Sequence, residues 1–195
     1  SICDSEPRLA SGYFRPGFYR AVCRVRNDVE IGVLRHGECI IGFWPFRRMP
    51  RGVAQPVGGM FNDFNGIIAR GDLSQLDLAA VMSQCGLTFT AFHALIDQGL
   101  NKNRHSFARL ASPFVNLRGG VGDYLRWLRD NSLAIRKQPQ KRRQMERDLG
   151  PMRFEFDVRD ELVLEQVITW KRDKFRLTRT FDILSVASPA KLLRE

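Results

Sequence analysis

The spacing of hydrophobic residues near the N-terminus predicts a helix followed by a β-hairpin. Pro16 suits the first turn of a helix, and the apolar side chains that recur at helical spacing after it are Phe18, Tyr19, Val22 and Val25. An alternating segment then runs from Val29 to Val33, and His36-Gly37 has the composition of a turn. A more hydrophobic segment follows from Cys39 to Phe46. We therefore expect an antiparallel pair of strands, with the second strand more deeply buried.

The pattern between residues 74 and 117 predicts a helix followed by further short elements. Ser74 stands three residues before Asp77 and just ahead of an apolar stripe, which is the spacing of a capping box, and Gly86 is expected to end that helix. The next segments are predicted as a buried strand, a helical turn and one or two strands, and they are Leu87–Phe92, Ala94–Gln98 and Phe107–Leu117. Helices and strands mixed in this way indicate an α/β protein.

A glycine-rich segment marks the sharpest boundary in the chain. Gly119, Gly120 and Gly122 allow a tight turn, and Asp123 is expected to cap a helix that starts at Tyr124. We therefore predict two domains, residues 1–118 and residues 119–195.

The second predicted domain is helical and basic, with one short strand. Pro139 is expected to kink the helix or restart it, because it lacks a backbone donor. After Gly150-Pro151, a half-buried strand is predicted from the alternation of Phe154, Phe156 and Val158. A further helix is predicted to pack through side chains at helical spacing, namely Val163, Val167 and Trp170.

Composition limits the classes of protein. The chain has 195 residues, of which 44% are hydrophobic, so it can bury a sizeable core. No apolar run approaches the roughly 20 residues of a membrane span, and no signal-peptide pattern is present, so we expect a cytoplasmic protein without a membrane span. The four cysteines are expected to be reduced and packed, and the scattered histidines His36, His93 and His105 indicate no metal site.

The formal net charge of +10 predicts an anionic partner. Nucleic acid, anionic lipid headgroups and phosphates of a small molecule all satisfy that charge. The cations lie in three groups, Arg47 to Arg51, Arg136 to Arg147 and Lys171 to Arg179. Each group taken alone is also typical of a solvated helix face or loop, so the charge does not choose among these partners.

Several segments, taken in their order along the chain, resemble one enzyme family. They are Ile41–Phe46 with Arg47-Arg48, the loop Asn62–Gly66, Leu117–Tyr124, the basic segment Gln140–Glu155, and the Trp170-Lys171 helix leading into Arg179–Asp182. In this order they are similar to the N-terminal and central part of the CelD-like acetyltransferases of bacterial cellulose and exopolysaccharide biosynthesis. These enzymes belong to the tandem, FemAB-like branch of the GNAT superfamily. The resemblance extends from about Phe14 to Leu193.

The resemblance implies a fold and an activity. The fold would be a GNAT-like mixed sheet flanked by helices, comprising the first unit of a tandem arrangement and the start of the second. The activity would transfer an acyl group from acetyl-CoA, or another acyl-CoA, to an amine or hydroxyl of a polysaccharide-related or lipid-linked sugar acceptor. In such folds the pantetheine lies between splayed strands. The pyrophosphate binds a loop of the form (Arg or Gln)-x-x-Gly-x-(Gly or Ala) at a helix start. That loop is absent here, so this chain alone is not expected to bind coenzyme A well.

A set of polar and aromatic side chains is expected to contact the acceptor. Asp63 would either hydrogen-bond a sugar hydroxyl or fix its own turn, and Asn65 replaces the family's histidine with an amide that does not titrate. Trp170 would either stack on a sugar ring or pack in the core. The expected substrate-binding residues are Asp63, Asn65, Arg142, Arg143, Trp170, Lys171, Lys174 and Arg179. The two neighbouring arginines suit a phosphate because guanidinium groups bind it in bidentate fashion. The sequence assigns no catalytic base.

Two other functions remain open. A basic nucleic-acid-binding domain fits the charge, although no helix-turn-helix, zinc-finger or RNP signature is present and nucleic acid is therefore disfavoured. A non-catalytic partner module of a polysaccharide synthesis complex fits the missing cofactor loop.

Overall fold

A computed structural model describes residues 2–100 and 108–195 of the chain. These residues form two compact units, one of residues 2–100 and 161–195 and one of residues 108–160. His105 and Phe107 lie outside the described residues. The predicted domain boundary between residues 118 and 119 stays a prediction.

The first unit is built on a mixed, open sheet. Its strands are β1 Val29–His36, β2 Cys39–Met49, β3 Val53–Gln55, β4 Ile68–Ala69 and β5 Phe89–Thr90. Strand β2 is antiparallel to β1 on one side and to β3 and β4 on the other, whereas β5 pairs with β3 in parallel. Helices flank this sheet, so the predicted α/β class is confirmed. The helices of this unit are α1 Ile2–Ser5, α2 Pro16–Val25, α3 Leu78–Gln84, α7 Glu161–Thr178 and α8 Ala187–Leu192. The second unit contains α4 Val121–Asn131, α5 Leu133–Arg136 and α6 Gln138–Leu149.

The predicted hairpin is confirmed. Strands β1 and β2 pair from Val29 opposite Arg47 to His36 opposite Cys39, and Gly37 lies in the turn with a φ of +57°. The register shifts after Leu34, so β2 has one extra residue there and the pair contains a β-bulge.

The core lies on both faces of the sheet because successive side chains of a strand point to opposite faces. On β2, Trp44 and Phe46 join one buried cluster, against which Val81 and Met82 of α3 pack. Phe43, from the same strand, packs against a second cluster formed with the N-terminal segment. The long strand β2 therefore links the two halves of the core.

Helix α3 begins later than predicted. Asp77 is its N-cap, and the Asp77 carboxylate accepts a hydrogen bond from the Ala80 N–H at 3.0 Å. The Ser74 hydroxyl instead donates to Asp72 at 2.9 Å, so the predicted capping role of Ser74 is wrong.

The segments that follow α3 are less regular than predicted. The strand expected over Leu87–Phe92 is only the two residues of β5. The helical turn expected over Ala94–Gln98 is wrong, because Ala94 has a φ of +50° and Leu95 forms a parallel bridge with Asn65. No strand is present in the described part of the predicted Phe107–Leu117 strand, residues 108–117.

The second unit is helical. Helix α5 ends at Arg136 and α6 begins at Gln138 with Pro139 in its first turn, which confirms the predicted restart. Helix α4 begins at Val121, so Asp123 lies within the first turn and is not the cap that was predicted. The predicted strand after Pro151 is also wrong. Phe154 and Phe156 are 86% and 88% exposed and have no neighbouring strand among the described residues, and an isolated strand leaves its backbone groups unpaired.

Candidate functional site

The parallel pair of strands ends at a small crevice. Strands β3 and β5 share two residue pairs, and Pro56, which follows β3, has no N–H with which to extend the ladder. A cavity of about 10 Å³ lies directly beyond both strand ends. Its lining residues are Phe14, Tyr19, Pro45, Pro56, Val57, Asn62, Phe64, Asn65, Gly66 and Phe92. The space is that of a single water molecule, so a larger ligand would contact the rim.

The loop that closes this crevice is held by two buried asparagines. The Asn62 side-chain N–H donates to Asn65 Oδ1 at 2.8 Å, and the Asn65 side-chain N–H donates to the His93 carbonyl at 2.6 Å. Both polar groups of Asn65 are therefore engaged within the protein, and Asn65 fixes the loop. Its predicted contact with substrate stays a prediction.

Asp63 is the solvent-facing member of the same loop. The Tyr13 hydroxyl donates to Asp63 Oδ2 at 3.2 Å, and the Tyr13 ring packs edge-on against Phe18 at 5.1 Å. Partial burial, followed by the Asp63 charge, raises the pKa of Tyr13, so the phenol remains a neutral donor at neutral pH. Asp63 stands between the cavity-lining residues Asn62 and Phe64, and its pinned carboxylate can accept a hydrogen bond from a hydroxyl or an amine. No local pattern predicts the contact of Tyr13 with Asp63, because fifty residues separate the two along the chain.

Helix α6 carries the predicted phosphate-binding arginines, but their surroundings differ. Arg142 forms an ion pair with Glu146 at 2.9 Å. Arg143 and Arg147 have no ion-pair partner among the described residues, and they line an open surface depression of about 540 Å³ together with Gln140 and Glu146. The i, i+4 spacing of Arg143 and Arg147 places both on one helix face, so the pair suited to an anion is Arg143 with Arg147. Arg147 belongs to a predicted basic group but was not among the predicted substrate-binding residues.

Helix α7 carries Trp170, Lys171 and Lys174 on its exposed side. Trp170 is 65% exposed, so the interpretation of this tryptophan as core is wrong, and the buried face of α7 contains Ile168 instead. Arg179 follows the end of the helix with a φ of +52°. These four residues belong to the first unit, as do Asp63 and Asn65, whereas Arg142 and Arg143 belong to the second.

The first basic group of the sequence has a structural role. Arg48 binds Glu30 through two hydrogen bonds of 2.6 and 2.7 Å and also donates to the Cys85 carbonyl at the C-terminal end of α3. Arg47 binds Asp28 at 3.0 Å. Both guanidinium groups are therefore occupied and are poor candidates for ligand contacts.

The thiols and other metal-ligating side chains form no site in residues 2–100 and 108–195. Cys3 is buried and donates to the Phe14 carbonyl, but Cys23 and Cys39 are exposed, so the prediction of packed thiols is wrong for these two. Over the same residues, no group of three or more His, Cys, Asp or Glu side chains is arranged to hold a metal ion.

No protein-family model, curated protein or solved structure matches the chain. Within the part of the chain that the structure describes, no helix is both long enough and apolar enough to cross a bilayer.

Proposed function

We propose that the chain is part of a GNAT-type acyltransferase that moves an acyl group from an acyl-CoA to an amine or hydroxyl of a polysaccharide-related or lipid-linked sugar. The order of the sheet supports this proposal. Antiparallel strands β1, β2 and β3 are followed, across α3, by β5 in parallel with β3. A mixed sheet of this kind, flanked by helices, agrees with the fold that the resemblance implies.

The crevice at the end of the parallel pair supports the same proposal. Ligands of open α/β sheets bind beyond the carboxyl ends of parallel strands, which is where Pro56 and Phe92 line the cavity. In this proposal Asp63, held by Tyr13, accepts a hydrogen bond from the acceptor at the rim. The buried pair Asn62 and Asn65 keeps that rim in place.

Three helix starts of this chain do not fit the pyrophosphate of coenzyme A. A phosphate at a helix start needs free N–H groups and no competing negative charge. Asp77 caps α3, and Asp123 and Glu161 lie in the first turns of α4 and α7. These carboxylates repel an anion at each of the three helix starts. In this proposal the chain binds and orients the acceptor.

Thermal unfolding in the presence of acetyl-CoA tests the proposal. The 195-residue chain is compared with a chain that also carries any residues that follow Glu195 in the natural protein. We expect acetyl-CoA to raise the Tm of the longer protein only, because a ligand stabilises the state that binds it. If acetyl-CoA raises the Tm of neither protein, the proposal is contradicted.

A nucleic-acid-binding function is the second candidate, and Arg143 and Arg147 of α6, which have no ion-pair partner in the described part of the chain, favour it. Binding to arbitrary duplex DNA that weakens steeply with salt would support it, because each neutralised phosphate releases counterions. Weak binding at low salt would remove this candidate.

A further inference from the structure

Helix α7 has two apolar faces, and the residues that the structure describes cover one of them. The covered face contains the buried Ile168 and the half-buried residues Leu164, Arg172 and Phe175. The second face repeats at the spacing i, i+4, i+7, i+11 and i+14, and its residues are Val163, Val167, Trp170, Lys174 and Leu177. All five are exposed, with Leu177 at 85%. We call these five residues the outer face of α7.

Unpaired cations accompany this outer face. Arg172 and Arg176 are occupied by Asp182 at 3.0 Å and Asp173 at 2.8 Å. Lys171, Lys174 and Arg179 have no ion-pair or hydrogen-bonding side-chain partner among residues 2–100 and 108–195. The free charges lie near the centre and the C-terminal end of the helix, beside Trp170 and Leu177. The outer face therefore combines apolar side chains with Lys174, while Lys171 lies beside it and Arg179 follows the helix end. Asp173, which pairs with Arg176, is the exposed acid on its other side.

We propose that the outer face of α7 binds the surface of an anionic lipid bilayer, with the helix lying in the membrane plane. An interfacial helix places apolar side chains below the headgroups and cations among them, and lysine reaches the headgroups with its long stem. Tryptophan is enriched at the same depth because its ring is apolar and its N–H is polar. The 18 residues of α7 span about 27 Å, enough for the whole line of side chains to contact one surface.

The chemistry of the outer face favours lipid over the other anionic partners. A nucleic acid would neutralise Lys171 and Lys174 but would leave the exposed Val163, Val167 and Leu177 in water. An anionic bilayer satisfies both the charges and the apolar side chains. Burial of the apolar side chains alone, or attraction of the cations alone, gives weak and reversible attachment, so both are needed for stable binding. This inference does not depend on the acyltransferase proposal.

Co-sedimentation with vesicles tests the inference. The whole chain is mixed with vesicles of phosphatidylcholine alone, or of phosphatidylcholine with phosphatidylglycerol, at low and high salt. We expect binding to the anionic vesicles only, weakened by salt because screening reduces the attraction of the cations. The double variant Lys171→Glu/Lys174→Glu should lower the partition coefficient by at least about tenfold, since each cation near an anionic surface contributes about a factor of five.

Matched variants separate the outer face from general charge and hydrophobicity. Trp170→Ser should weaken vesicle binding several-fold, whereas Trp127→Ser, which removes another exposed tryptophan, should not. Lys137→Glu/Lys141→Glu changes the net charge as much as the α7 double variant and should have the smaller effect. Circular dichroism checks that each variant is folded.

Three results would overturn the inference. The first is equal binding to neutral and anionic vesicles. The second is equal loss of binding in the Trp170 and Trp127 variants. The third is evidence that the outer face binds something else. Such evidence would be duplex DNA binding, or a concentration-dependent dimer, that Trp170→Ser abolishes.

Discussion

The side chain of Gln98 pairs with the backbone of Ile67 as a neighbouring strand would. Its Oε1 accepts from the Ile67 N–H at 3.1 Å, and its Nε2 donates to the Ile67 carbonyl at 2.7 Å. Gln98 is only 2% exposed and Ile67 is fully buried. The Gln98 side chain therefore supplies hydrogen bonds to the backbone of the residue just before β4. Residues 94–98 form no strand that could supply them.

Gln98→Leu should destabilise the first unit. The Ile67 N–H would be left without a partner in a buried position, while the carbonyl would keep its bond from the Ala69 N–H. Because an unsatisfied buried donor costs roughly 1–3 kcal/mol, we expect the free energy of unfolding to fall by about 2 kcal/mol. Urea unfolding measures the change. The exposed Gln144→Leu should stay within about 0.5 kcal/mol of the parent, and an equally small effect at Gln98 would contradict the prediction.

Asp28→Asn should remove a stabilising contribution that depends on pH. Hydrogen bonds from Arg26, and then from Arg47, hold the pKa of the Asp28 carboxyl well below its ordinary value. A lowered pKa in the folded state stabilises the protein above the unfolded-state value of about 4, and the contribution is lost as pH falls further. At pH 7 we expect a loss of about 1–2 kcal/mol, allowing for partial exposure, and a smaller difference from the parent below about pH 4.

Urea unfolding over a range of pH checks the Asp28 prediction. Asp173 is the control, because its pair with Arg176 is exposed on the surface of α7. Asp173→Asn should change stability by less than about 0.5 kcal/mol at neutral pH. A difference between parent and Asp28→Asn that does not vary with pH would show that the ion pairs do not account for it.

Gly58→Ala should destabilise the loop that closes the crevice. A Cβ at this position would clash with Asn62 Oδ1 and lie 2.7 Å from the Phe18 ring, although the backbone of Gly58 is not strained. Overpacking of this kind costs about 1–3 kcal/mol. Gly17→Ala in α2 is the control, because nothing lies within 4 Å of its Cβ position, and it should leave stability unchanged or raise it by up to about 1 kcal/mol. Thermal unfolding compares the two, and equal Tm values would argue against the close contact.

The sequence predicted elements whose signals are local. The hairpin of β1 and β2 depends on alternation and a Gly37 turn, and Pro139 marks the restart of α6 through its own geometry. The alternation around Phe154 is just as regular, but a strand also needs a partner, and none lies beside it among the described residues. Ser74 and Asp77 are equally good N-cap residues by type. The Ser74 hydroxyl donates a hydrogen bond to Asp72 instead, and Asp77 is the cap of α3.

The candidate site was predicted in part, for similar reasons. The loop of Asp63 and Asn65 stands out in the sequence, but its contact with Tyr13 depends on the fold. On α7, the stripe containing Val163 and Trp170 and the stripe containing Ile168 are both apolar at helical spacing. Periodicity therefore shows that α7 is a helix without showing which stripe is buried.

Arg143 and Arg147, rather than Arg142, should carry the anion binding of α6. Glu146 already neutralises Arg142 at 2.9 Å, whereas the other two guanidinium groups line the same depression without a partner among the described residues. Titration calorimetry with inorganic pyrophosphate should show several-fold weaker binding for Arg143→Gln and for Arg147→Gln, because a charge-assisted hydrogen bond contributes roughly 1.5–3 kcal/mol when desolvated and less at this exposed surface. Arg142→Gln removes the same charge from the same helix and should change the affinity by less than about twofold. Equal effects at Arg142 and Arg143 would mean that net charge alone, and not the geometry of this face, attracts the anion.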